Sequence, residues 1–189
     1  MQQVFKNALF HQEPTVLKRR LLPLSCYHVL VLMAADNPYV VKQVPNPTLI
    51  DLAFGVAVCS RTREQCEIWL PADGMLDGIK AWGKTCRKMD FRAEGLSFEN
   101  YLADYSAFPD RWSKTKTPTP CQHPWPLLVV VTIMPMVGES RAWNMPLPEA
   151  ISLWSAYQET QGDSSLKTDW EYNALAALKA AAIRKEANK

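Results

Sequence analysis

Two pairs in the sequence could hold a metal ion. Cys26 and His28 stand two apart, Cys121 and His123 repeat that spacing, and Cys59 and Cys66 lie between the pairs. Four thiolate or imidazole groups could close a tetrahedral zinc site. Structural zinc sites, however, draw on cysteine pairs two to four residues apart, and this chain has none. Cys26 and Cys59 fall within apolar helical patterns, where a thiol serves as a small hydrophobe. His28 sits between Tyr27 and Val29 and reads as a hydrogen-bonded core histidine.

A thiol nucleophile would need a lowered pKa beside a base. Any of the five cysteines could pair with any of the three histidines, and nothing in the spacing selects one pair. There is no nucleophile elbow, phosphate loop, dinucleotide fingerprint or His-Glu-x-x-His. Glu64, Glu67, Asp73 and Asp77 read as exposed charges on short helices rather than an acid–base couple. The expectation is a protein that is not an enzyme, with no catalytic residue, no cofactor and no metal.

Aromatic residues are the other candidates. Of the seven tryptophans, Trp82 and Trp154 lie on apolar stripes and read as core. Trp112 and Trp125 sit in the proline-rich stretch 109–126. They are expected to pin that stretch to the body, the alternative being anchors for a partner.

The elements that must position these residues are helical. Ser25 can cap an apolar helix that ends at Asn37-Pro38. Thr48 and Asp51 are spaced as a capping box, and Leu49, Leu52, Ala53, Val56 and Ala57 follow on one stripe. Ser60 or Thr62 can cap a short helix over 63–70, closed by Pro71. Leu76, Ile79, Trp82, Cys86 and Met89 make an apolar stripe opposite Lys80, Lys84, Arg87 and Lys88. Gly95 reads as the end of a linker, with Ser97 capping a helix over 98–107.

Prolines at 109, 118, 120, 124 and 126 remove backbone donors, so 109–126 is expected to lack regular structure. The β-branched run 127–137 favours strand by propensity. Pro126 at its start and the lack of a partner strand favour a buried helix. Pro146 and Pro148 lead into a helix over 149–161 with Gly162 as its C-cap. Thr168 and Glu171 open an alanine-rich helix over 169–187. These patterns predict an all-α protein of about seven helices in an irregular bundle. Its parts are an N-terminal helical body (1–108), a Pro-rich connection (109–126) and a C-terminal helical part (127–189) that packs on the body.

Composition narrows the partners. Lys and Arg number 21 against 19 Asp and Glu, a net charge of +2. Nucleic-acid binders concentrate far more positive charge on one face. The clusters Lys18-Arg19-Arg20 and 84–88 read as solvated faces. No secretory pattern opens the sequence, and five cysteines suit reduced thiols. The longest apolar run, 127–137, is too short for the roughly 20 residues of a membrane span. A soluble protein with no membrane and no nucleic-acid partner is expected.

Three segments carry a resemblance. Leu21-Leu22-Pro23-Leu24-Ser25 leads through His28 to Asn37-Pro38. Pro47-Thr48-Leu49-Ile50-Asp51-Leu52 runs into Val58-Cys59-Ser60-Arg61-Thr62. Ala142-Trp143-Asn144-Met145-Pro146-Leu147-Pro148-Glu149-Ala150 leads to Ala156-Tyr157-Gln158-Glu159-Thr160-Gln161-Gly162. Together they resemble small helical proteins encoded among the virion and tail-assembly genes of tailed bacteriophages and prophages, with the tail assembly chaperones as the best functional analogue. The resemblance covers roughly 17–162, and its motifs are structural, so it carries over no site residue. It implies a chaperone that covers the apolar stripe of the coiled-coil-prone tape measure protein, in the host cell cytoplasm, until the tail tube assembles. The rivals are a minor head or tail protein that stays in the virion, and a metal- or thiol-dependent enzyme. Self-association and the contact residues stay open.

Overall fold

The computed structural model describes residues 13–41, 47–109, 111–113, 123–162, 164–167 and 170–171. The protein is mostly all-α. The described residues form eight α-helices: α1 (Cys26–Ala34), α2 (Leu49–Cys59), α3 (Arg63–Trp69), α4 (Met75–Thr85), α5 (Phe91–Ser106), α6 (Trp125–Val137), α7 (Glu139–Asn144) and α8 (Leu147–Thr160). A 3-10 turn, Cys86–Lys88, extends α4. The expected helix over 169–187 lies outside the described residues, apart from two helical residues at 170–171.

Reciprocal capping boxes set three of the helix starts. Ser25 Oγ accepts the His28 N–H, and His28 Nδ1 accepts the Ser25 N–H at 3.2 Å, so a histidine closes a reciprocal capping box where glutamate is usual. Thr48 with Asp51 and Thr62 with Gln65 form the same arrangement on α2 and α3. At the far end of α1, Asn37 is buried and donates from Nδ2 to the Asp51 carbonyl at 2.9 Å. Asn37, three residues beyond the end of α1, thereby ties the first helix to the second.

The linker expected around Gly95 is absent. α5 starts six residues before Ser97, because the Asp90 carboxylate accepts the Arg92 and Ala93 N–H groups. Gly95 lies inside this helix because Tyr39 crosses it. A Cβ there would sit 2.9 Å from the Tyr39 hydroxyl oxygen. Leu76 also departs from its expected place and is 56% exposed. The buried side of α4 is instead Ile79 and Gly83.

Gly78, on the same helix, faces open space, with no atom within 4 Å of an added Cβ. Gly78→Ala should therefore stabilise the fold by about 0.5–1 kcal/mol, since alanine restricts the unfolded chain and favours helix. Chemical denaturation of the two proteins measures it, and a loss of stability would contradict the open environment of this position.

The run 127–137 is helical, with Pro124 as N-cap and Pro126 in the first turn, where a missing N–H is harmless. The helix therefore takes in the last two residues of the expected connection. Val129, Val130 and Ile133 face the core. Residues 111–113, expected to lack regular structure, form a strand, β3 (Arg111–Ser113). It pairs antiparallel with β4 (Ser164–Leu166). Positions 111–113 lie in a proline-free stretch of the connection, so their backbone donors are available.

A second small ribbon pairs β1 (Thr15–Val16) with β2 (Arg19–Arg20). Its two turn residues, Leu17 and Lys18, have φ of 47° and 61°, the pattern of a type I′ turn made without glycine. The backbone strain at Leu17 is held in place by burial of its side chain and by its N–H, which donates to the Glu94 carboxylate at 2.7 Å.

One core joins the two ends of the chain. α1 packs on α2, α6 and α7, and α8 packs on α5 and α6. The Leu147 N–H donates to the Leu24 carbonyl at 2.6 Å, and Ser25 bridges to Pro146. Leu24, Leu32, Leu52, Val56, Phe98, Ile133, Leu147 and Ile151 have no exposed surface.

Candidate interaction site

Among the described residues, the candidates for holding an ion do not gather into a site. His28 is buried, and both of its ring nitrogens serve the backbone. Nδ1 accepts from Ser25, and Nε2 lies 2.7 Å from the Arg61 carbonyl, to which it donates. This fixes the Nε2–H tautomer and leaves no lone pair for a metal. Burial holds the ring neutral down to about pH 4, and the Arg61 carbonyl opposes that only in part. Cys121 lies outside the described residues, and His123 is exposed. Among the described residues, no three His, Cys, Asp or Glu side chains are grouped to hold a metal ion.

The thiols are placed as small hydrophobes. Cys26, Cys59, Cys66 and Cys86 are all buried and unpaired. Burial pushes the Cys26 thiol up to about 12 and the Cys66 thiol up to about 11, and raises Cys59 further. Such groups stay protonated at neutral pH, the opposite of an activated nucleophile. Of the four carboxylates considered, Glu64 accepts from Asn144 Nδ2 at 2.8 Å and Glu67 from Arg63 Nε at 2.6 Å. The first ties α3 to α7, and the second is an i,i+4 pair within α3.

The tryptophans divide by environment. Trp125 meets Phe108 edge-to-face with ring centroids 5.0 Å apart, and Phe108 meets Trp154 at 6.2 Å. Phe108 stands just before the proline-rich connection and Trp125 near its end, so this stack closes the two ends of that segment on α8. The side chain of Trp112 lies outside the described residues. Trp82 is only half-buried, because Arg19 rather than apolar side chains covers one of its faces.

Beside the Phe108–Trp125 contact opens a cavity of about 610 Å³. Tyr39 and Val40, from the segment that follows α1, form one wall. Leu102 and Ala103 of α5 form another, and Phe108 and Trp125 close the end. Glu99 and Ser106 supply polar groups at this cavity. Phe108 is 43% exposed, a large aromatic side chain left open to solvent. Sequence reasoning found Trp125 but not the cavity, because Tyr39, Leu102 and Trp125 come together only in the tertiary fold.

No family model, curated protein or solved structure matches the chain. Among the described residues, no helix is long and apolar enough to cross a membrane.

Proposed function

We propose that this protein works without catalysis, as a tail assembly chaperone of a tailed phage that holds an apolar-striped helix of the tape measure protein. The observation that carries the reading is the aromatic-walled cavity between α5 and residues 39–40. An amphipathic helix binds by inserting side chains from one stripe into such a depression. An unassembled coiled-coil chain needs that stripe covered to escape aggregation. The resemblance of the Ser25, Thr48 and Trp143–Pro146 segments to tail-assembly proteins supplies the partner's identity. On this reading the protein acts in the host cell cytoplasm and leaves before the particle is complete. A minor virion component would instead be found by proteomics of purified particles.

Co-expression with the tape measure protein tests the reading. A complex on a sizing column and a gain in soluble tape measure protein are expected. Ala103 is exposed on the cavity wall, so Ala103→Glu places a charge in the groove and should change stability by no more than about 0.5 kcal/mol. Binding should weaken by about tenfold or more, since the new carboxylate is desolvated against apolar partner surface. If Ala103→Glu keeps full affinity, this groove is not the contact.

A further inference from the structure

Among the described residues, three arginines lie over tryptophan rings, and they differ in one respect. Arg63 sits 5.2 Å from the centre of the Trp143 ring and is neutralised by Glu67 and Glu139. Arg19 lies 4.1 Å over Trp82, and Arg61 lies 4.2 Å over Trp69. Neither makes an ion pair with a carboxylate among the described residues, although their neighbours Arg20 and Arg63 do. Arg19 and Arg61 also line the same cavity, of about 320 Å³. It shares no lining residue with the groove beside Phe108.

Two cations facing one cavity repel each other unless something lies between them. Arg61 bears the mark of this: burial and the Arg19 charge both work against its protonated form. The fold nevertheless holds it there. One Arg61 amine donates to the Ala57 carbonyl at the end of α2, and the Trp69 ring fixes the plane of the guanidinium. Asp73 also lines the cavity but is exposed and bonds neither arginine among the described residues. Two positive charges thus stand against one negative. The floor is open, since nothing lies within 4 Å of a Cβ added at Gly74 or Gly78. A guanidinium stacked by its face keeps its in-plane N–H donors, which match the paired oxygens of a carboxylate or phosphate.

We infer that Arg19 and Arg61, each braced on its tryptophan, form a binding site for one oxyanion group, a phosphate or a carboxylate. The anion bridges the two guanidiniums and removes their mutual repulsion. This site is independent of the tape-measure reading and stands if that reading fails.

Calorimetric titration of the full chain tests it, with inorganic phosphate in one arm and a glutamate-rich peptide in the other, at low salt. Saturable binding is expected in at least one arm, weakening as salt rises. Binding of phosphate alone identifies a free anion as the ligand, and binding of the peptide identifies acidic side chains. Arg19→Gln and Arg61→Gln should each weaken binding by about tenfold or more, the scale of a lost charge-assisted hydrogen bond. Arg63→Gln, which removes the neutralised stack, should leave it unchanged. No binding in either arm overturns the inference, as does binding that survives both cavity substitutions.

Discussion

Phe98→Ala is expected to lower the unfolding free energy by about 3–5 kcal/mol, the cost of deleting a fully enclosed ring from a core that cannot collapse around the gap. Phe98 has no exposed surface. It meets Tyr39 edge-to-face at 5.3 Å and stacks near Tyr101 at 5.9 Å. Its ring edge also fills the space over Gly55 of α2, where an added Cβ would stand 2.8 Å from two ring carbons. That contact makes the prediction specific. Gly55→Ala alone should destabilise by about 1–3 kcal/mol through overpacking, despite the higher helix propensity of alanine. In the Phe98→Leu background the clash is relieved, so the two substitutions should be non-additive by about 0.5–3 kcal/mol. Urea denaturation of the four proteins of this cycle measures the coupling. Strict additivity would mean that α2 and α5 do not meet through this pair.

Acidification should destabilise the protein through His28 before the carboxylates as a class are protonated. The folded ring stays neutral down to about pH 4, whereas an imidazole in the unfolded chain titrates near pH 6.5. Between those values the unfolded state binds a proton that the folded state refuses, so stability falls as pH drops from about 6.5 to 4 and levels off below. Above pH 6.5 this group contributes no pH dependence. The full effect is about 3 kcal/mol. Protonation would also convert Nδ1 from acceptor to donor and break the capping box with Ser25. In His28→Gln the slope of stability against pH between 6.5 and 5 should flatten, whatever that substitution costs in packing. An unchanged slope would show that another group drives acid unfolding.

Local chemistry was readable where it acts over a few residues. Ser25, Thr48 and Thr62 cap their helices because each places a side-chain oxygen before an apolar run, and Gly162 ends α8 with a φ of 81°. The strand propensity of the valines after Pro126 was outweighed because a helix buried on α1 and α8 pairs its own backbone groups, as a lone strand cannot. The misses share a cause in long-range structure. Gly95 punctuates nothing; it is small because Tyr39, far back in the chain, passes over it. β3 depends on β4, about fifty residues on, and no local pattern announces such a pairing. His28 was read correctly as a core histidine, but its partner Arg61 is 33 residues away. The arginine–tryptophan stacks were unreadable for the same reason, since the lysine–arginine cluster at 18–20 looks like any solvated face until Trp82 is placed beneath Arg19.

The bridge between Ser25 and Pro146, with the Leu147-to-Leu24 bond beside it, has a bearing on synthesis. A ribosome delivers α1 long before α6 and α7, against which it packs. At a typical elongation rate the wait is on the order of ten seconds. Throughout that interval Val29 and Leu32 have only part of their final surroundings. A polypeptide wired this way postpones its cooperative transition until translation of the last helices is done.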